Sequence, residues 1–192
     1  MAKRSTNTNL ILFTSELKET VDQNVQVDAI YTDFLKDFDR VNHKILIGKL
    51  QRFEITDNLL DDLTNRCSKV VVDGKESQPF TASSGIPQGA VLGPLFFNVF
   101  INNITRVINL NDVCFFADDL KLMKPVRNHY DIKCFQDDIN DWCTKNNMSL
   151  NTSKCQHIKY TRRRCKLQSE YFIDRQKLHE VTTIRDLGIL MD

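Results

Sequence analysis

The chain has 192 residues, 41% of them hydrophobic, enough for one compact domain or one domain with a small appendage. Lys plus Arg number 26 and Asp plus Glu 25, so the formal net charge of +1 argues neither for nor against a nucleic-acid partner. The six cysteines (67, 114, 134, 143, 155 and 165) include no Cys-x-x-Cys pair, no histidine completes a zinc site, and no run of about 18 apolar residues exists. A zinc ribbon, a disulfide framework, a secretory leader and a membrane span are therefore not expected.

Residues 8–22 carry Leu10, Phe13, Leu17 and Val21 at helical spacing. VQVDAIYTDF, residues 25–34, predicts a strand rich in Val, Ile and Tyr, with Asp33 at its end. FDRVNHKILIGKLQRF turns helical, with Val41, Ile45, Leu46, Leu50 and Phe53 at the apolar positions, and Thr56 is placed to cap a further helix through about Arg66. In SKVVVDGKESQPF, Asp73-Gly74 between short β-rich runs predicts a hairpin. SSGIPQG, residues 83–89, is a loop of breakers, and VLGPLFFNVFINNI reads as a mostly buried helix. Val113–Phe116 and the alternation Leu120-Lys121-Leu122 predict two strands of a hairpin, with Cys114 in the core and Asp118-Asp119 at the tight turn. A helix over 129–146 follows, with Ile132, Phe135, Ile139 and Trp142 inward and Asp137-Asp138 toward solvent. LNTSKCQHIKY passes from a turn into a strand, and YFIDRQKLHEV and IRDLGILMD suggest two more short strands. The order predicts an α+β fold with a mainly antiparallel sheet backed by helices.

Two local charge features bear on function. KYTRRRCK holds Lys159, Arg162, Arg163, Arg164 and Lys166, a cluster able to neutralise phosphates or to stand as a solvated loop. If the strand ending at Asp33 neighbours the hairpin of Asp118-Asp119, three carboxylates converge and raise one another's pKa. A divalent cation removes that repulsion, and oxygen-only ligands suit Mg²⁺. Two such ions about 3.5–4 Å apart can activate a hydroxyl and stabilise the leaving group of an in-line phosphoryl displacement. For the doublet alone, plain turn chemistry explains the acids as well.

The ordered motifs DAIYTDFLKDFDRV (28–41), LTNR (63–66), SSGIPQGAVLGPLFFNVFINNI (83–104), FADD (116–119), SLNTSKC (149–155) and IRDLGIL (184–190) resemble the reverse transcriptases of non-long-terminal-repeat, jockey-like retrotransposons. The resemblance covers nearly the whole chain. It implies a reverse transcriptase domain over 1–192, with a partial fingers remnant at 1–24 and the palm at 25–192, fingers mostly missing and thumb absent. It implies an intracellular RNA-directed DNA polymerase, acting in nucleus or cytoplasm, that takes an RNA template, a DNA primer and deoxynucleotides, with two Mg²⁺ ions that Mn²⁺ could replace. Asp33 and Asp118 would hold both metals, with Asp119 the supporting acid. Phe34, Phe38, Pro87, Gln88 and Gly89 would meet the nucleotide, with Phe38 as the bulky gate against a 2′-hydroxyl. Lys154 would protonate or neutralise the leaving pyrophosphate, and Leu187-Gly188 would touch the primer.

Rival readings exist for single residues: Phe38 as ordinary core, Gly85, Pro87 and Gly89 as a plain connection, Lys154 as a solvated lysine, Asp39 as a helix-dipole partner. The sequence departs from the family at Asp37 (usually Ala), Leu35 and Ala90 (Ser), Leu120 and Cys155 (Thr), and Arg185-Asp186 (a basic–aromatic pair). The missing fingers and thumb lead to the expectation that the chain alone extends primers weakly or not at all. The alternative is a palm remnant that grips nucleic acid without chemistry. An RNA-copying palm polymerase is a third reading, opposed by the bulk of Phe38.

Overall fold

The computed structural model describes residues 6–35, 38–55, 67–86, 91–107, 113–116 and 119–192. The chain forms two compact units, residues 1–35, 104–145 and 149–192 in the first, and 36–103 with 146–148 in the second.

The first unit is built on a five-stranded sheet. Its strands are β1 (Gln26–Thr32), β6 (Val113–Phe116), β7 (Asp119–Val126), β8 (Gln156–Tyr160) and β11 (His179–Val181), ordered β11-β8-β1-β7-β6. All neighbours are antiparallel except β11 with β8. Helix α1 (Thr6–Asp22) lays Phe13 and Leu17 on one face of the sheet, against Val27, Ala29, Met123, Ile158 and Tyr160. These are the odd residues of β1 and their register partners, as strand alternation requires. The opposite face carries Asp28, Ile30 and Leu122 and is covered through Tyr171. The Tyr171 ring meets Phe135 edge-on and its hydroxyl donates to Asp28 Oδ2 at 2.9 Å. Phe135 belongs to the long helix His129–Asn146, whose inward residues Ile132, Phe135, Ile139 and Trp142 are all buried as the periodicity predicts. Its N-terminus closes reciprocally: Asn128 Oδ1 accepts from Tyr130 N and Asp131 N, and Asp131 Oδ2 accepts from Arg127 N and Asn128 N.

The second unit contains α2 (His43–Gln51), capped by Asn42 Oδ1 accepting from Ile45 N, and α3 (Gly93–Ile101), with Pro94 in its first turn. That helix of 129–146 is α4 in chain order. The hairpin of β3 (Val71–Val72) and β4 (Lys75–Glu76) turns through Asp73 (φ 49°) and Gly74 (φ 75°), the two positive-φ residues of a type I′ turn. A second ladder pairs β2 (Cys67–Ser68) with β5 (Phe80–Thr81).

Several expectations are corrected. Phe53 lies past the end of α2 and is exposed. In the expected buried helix of 91–104, Phe96, Phe97, Phe100 and Ile101 are buried, but Val91 and Leu95 face solvent and the last turn is a 3-10 segment (Asn102–Arg106). The segments read as two single C-terminal strands are two hairpins, β9 (Phe172–Ile173) with β10 (Gln176–Lys177), and β12 (Ile184–Asp186) with β13 (Ile189–Met191). Each carries a tight turn inside what reads as one strand: Asp174 and Arg175 in the first, Leu187 and Gly188 in the second, all with positive φ. The helix expected from Thr56 and the burial of Cys114 lie outside the described residues and side chains. No helix among the described residues is long and apolar enough to cross a membrane.

Candidate active site

Asp33 follows β1 directly, and Asp119 is the first residue of β7 rather than a turn residue. Thr32 pairs with Leu120 in the antiparallel register, so one step further along both strands Asp33 and Asp119 stand at the same end of the sheet. Thr32 Oγ1 donates to Leu120 O at 3.0 Å and locks that register at its last rung. The hairpin β6–β7 closes with Phe116 opposite Asp119. Asp119 is therefore held at the start of β7, beside the central strand, the juxtaposition on which convergence of the acids depends. Asp118 and the side chain of Asp119 lie outside the described residues. Among the described residues no three His, Cys, Asp or Glu side chains group to hold a metal ion.

The backbone of Asp33 is clamped by the segment 149–155. Asn151 N donates to Asp33 O at 2.7 Å, Leu35 N donates to Ser149 O at 2.9 Å, and Phe34 bridges Leu150. Cys155, fully buried, grips the same peptide: Asp33 N donates to its Sγ at 3.5 Å and its thiol donates to Asp33 O at 3.8 Å. Burial pushes the Cys155 thiol up to about 11, and the Asp33 carboxylate adds to the rise against the lowering by the backbone hydrogen bond. The sequence marked Cys155 only as a departure from Thr; a thiol that both donates and accepts is what lets it fill that place.

Lys154 leaves the same turn, and its Nζ lies 3.4 Å from Asp33 Oδ2, with both side chains well exposed. An exposed pair of this kind adds little to stability. Its interest is chemical: the Asp33 carboxylate is open to solvent at the end of the sheet and already faces a cation. A hard, open oxygen ligand beside a second acid position fits a divalent ion.

Phe34 is buried and packs its ring 5.9 Å from Trp142, so any contact it makes to a nucleotide is through its backbone. In the second unit, half-buried Phe38 stacks on Phe97 with centroids 5.0 Å apart. The start of the SSGIPQG loop is bonded to the same stretch: Ile86 N donates to Phe38 O at 2.7 Å and Gly85 N to Val41 O at 2.9 Å. Gly85 has φ +92°, and a Cβ there would lie 3.1 Å from Asp39 O, so the glycine is required for this approach. His43 is buried with Nε2 2.7 Å from Gly85 O; a carbonyl only accepts, so Nε2 carries the proton. Sequence reasoning missed His43, which reads as one polar residue at a helix start. Pro87, Gln88 and Gly89 lie outside the described residues.

The basic cluster is largely engaged within the fold. Arg162 pairs with Asp22 at 2.6 Å, Arg163 Nε donates to Asn24 O at 2.7 Å, and Lys159 pairs with Glu180 at 2.9 Å. The two arginines hold the turn between α1 and β1, whose Asn24 has φ 59°.

A family model described as reverse transcriptase (RNA-dependent DNA polymerase) matches residues 4–189. The chain belongs to the reverse transcriptase family. It is 26% identical over 160 residues to the RNA-directed DNA polymerase from mobile element jockey of Drosophila funebris, covering 74% of this chain and 17% of that protein. It is 24% identical over 170 residues to the Pol polyprotein of the type-1 retrotransposable element R2 of Popillia japonica, covering 78% of this chain and 27% of that protein. The chain thus spans less than a third of the length of these relatives. Its fold is similar to that of apo telomerase from Candida tropicalis truncated from its C-terminal domain, with a TM-score of 0.63 at 13% identity over 99% of this chain and 40% of that one. The expected α+β palm, with a mainly antiparallel sheet and helices, is the fold observed.

Proposed function

We propose that this reverse transcriptase domain performs RNA-templated transfer of a deoxynucleotide onto a DNA primer. The observation that carries the reading is the β1–β7 register, which sets Asp33 and Asp119 at one end of two paired central strands. Asp33 and Asp118 would hold two Mg²⁺ ions, with Asp119 supporting them. When bound, the ions supply activation of the primer 3′-hydroxyl and charge stabilisation at the α-phosphate and pyrophosphate.

The chain's own residues do the rest. The clamp from Asn151 and Cys155 fixes the Asp33 peptide, so its carboxylate needs little reorganisation. Lys154, a few ångströms from that carboxylate, would neutralise or protonate the departing pyrophosphate. Phe38 would press on the sugar and exclude ribonucleotides, its ring braced by Phe97. Pro87, Gln88 and Gly89 would lie along the nucleotide and template, and Leu187-Gly188 along the primer. RNA template, DNA primer and deoxynucleotide are the substrates this reading requires.

Primer extension on an RNA template with Mg²⁺ or Mn²⁺ tests the reading, with Asp118→Asn beside the parent chain. Weak extension that disappears in the variant is the expected result. Tight primer–template binding with no extension under either metal would instead make the chain a non-catalytic grip on nucleic acid.

A further inference from the structure

Beneath α1, within the first unit, Lys121 Nζ lies 2.5 Å from Asp186 Oδ1, and each side chain is only 2% exposed. Lys121 Nζ also donates to Asn9 Oδ1 at 3.3 Å and lies 5.8 Å from the centroid of the Phe13 ring. The cation therefore sits where α1, β7 and β12 meet. Lys121 is two residues along β7 from Asp119, about 7 Å of strand. Asp186 is the last residue of β12, immediately before the Leu187-Gly188 turn, and pairs across the hairpin with Ile189.

Stability does not account for this pair. Burying two charges costs about as much as their attraction returns, and an apolar pair of similar volume is often equal or better. Asp186 Oδ2 has no hydrogen-bond partner among the described residues, which makes the arrangement less favourable still. The hairpin already has apolar anchorage, with Ile184 and Met191 packed on the core under α1. Apolar contacts leave a two-stranded ribbon free to slide, whereas a short ion pair admits one separation and one direction. The turn it abuts is itself strained: Leu187 adopts φ 45° where Asn or Gly is the easy residue of a type I′ turn.

We propose that Lys121 and Asp186 form a positioning tether, which fixes the Leu187-Gly188 turn relative to the strand that begins at Asp119 and so sets where the primer terminus lies. The proposal rests on the reading of the chain as a polymerase palm. Lys121 and Asp186 are positioning residues, since neither is required to touch substrate. The tether also accounts for Arg185-Asp186 standing where the family usually has a basic–aromatic pair: the acid at 186 is matched by the base at 121.

The test is the paired replacement Lys121→Met with Asp186→Leu in the full chain, with Asp186→Asn as a second variant should the pair not fold. Three quantities are read: the thermal midpoint, amide hydrogen exchange at Leu187–Ile189 without substrate, and the KM for primer–template against that for deoxynucleotide. The expected result is an unchanged or raised midpoint and exchange at the turn about tenfold faster. The primer–template KM rises about tenfold, equivalent to about 1.4 kcal/mol, while the nucleotide KM stays unmoved. Unchanged exchange, or faster exchange with an unchanged primer KM, overturns the tether's role. A parent chain that shows no extension overturns the polymerase reading, and exchange at the turn then still decides whether the pair holds the hairpin.

Discussion

Replacing Cys155 with Ala tests how far the candidate site depends on a single buried sulfur. The thiol is fully buried and is the hydrogen-bond acceptor recorded for Asp33 N, while Asp33 O keeps the 2.7 Å bond from Asn151 N. Removing the sulfur forfeits about 0.8 kcal/mol of burial, taking it as comparable to one methylene. It also leaves a backbone donor unsatisfied, at about 1–3 kcal/mol. Together the loss is roughly 2–4 kcal/mol, which for a chain of this length lowers the thermal midpoint by about 4–16 °C. Cys155→Ser restores a group that donates and accepts, and recovers about half of the loss. Urea unfolding gives the energies, and a Mn²⁺ titration of the same proteins reads the site. Because the sulfur holds the peptide of a proposed metal ligand, Mn²⁺ affinity drops in Cys155→Ala more than in Cys155→Ser. The reasoning is refuted if Cys155→Ala unfolds within about 1 °C of the parent, or if Ser does no better than Ala.

Two further predictions concern buried bases. His157 is fully buried with neither ring nitrogen hydrogen-bonded among the described residues, and burial lowers its pKa against the opposing pull of Glu180. Above its unfolded value near 6.5 the group is neutral in both states; as pH falls below that, the unfolded chain takes the proton more readily. Stability is therefore complete above pH ~6.5 and is lost toward lower pH. Urea midpoints at pH 7.5 and 5.5 should differ in the parent and converge in His157→Phe. Lys49 donates to Phe100 O, to Asn103 Oδ1 at 2.9 Å and to Asn146 Oδ1 at 2.6 Å, and stands over the Phe100 ring. Burial and Arg52 bring it down to about 8, so from pH 8 to about 10.5 the unfolded state holds more protons and stability rises with pH. Lys49→Met strands these acceptors, costs about 2–3 kcal/mol and removes that rise, as urea unfolding at pH 7.5 and 10 would show.

Much of this protein is determined locally and can be read from sequence. The helix of Ile132, Phe135, Ile139 and Trp142 follows from a 3.6-residue apolar period, and the strand before Asp33 from its Val, Ile and Tyr content. The Asp73-Gly74 turn follows from the backbone preferences of its residues, and the α+β class from the order of the elements. Asp33, Asp118 and Asp119 stand out in the sequence only when a predicted strand end is joined to a predicted hairpin, since the doublet alone fits turn chemistry.

What tertiary structure decided is which polar groups lie inside. Lys121 between Leu120 and Leu122 has the alternation of a solvent-facing residue, yet β7 lies between β1 and β6 with α1 across its Lys121 side, so the lysine is enclosed. Asp186, adjacent to a turn, has the sequence context of an exposed acid and becomes its partner only because the hairpin folds back onto that face. Arg162 and Arg163 carry the signature of a phosphate-binding cluster, but the end of α1 reaches them first. Burial of this charged pair depends on α1, β7 and β12, far apart in the chain, meeting at one place, and no local period in the sequence records that meeting.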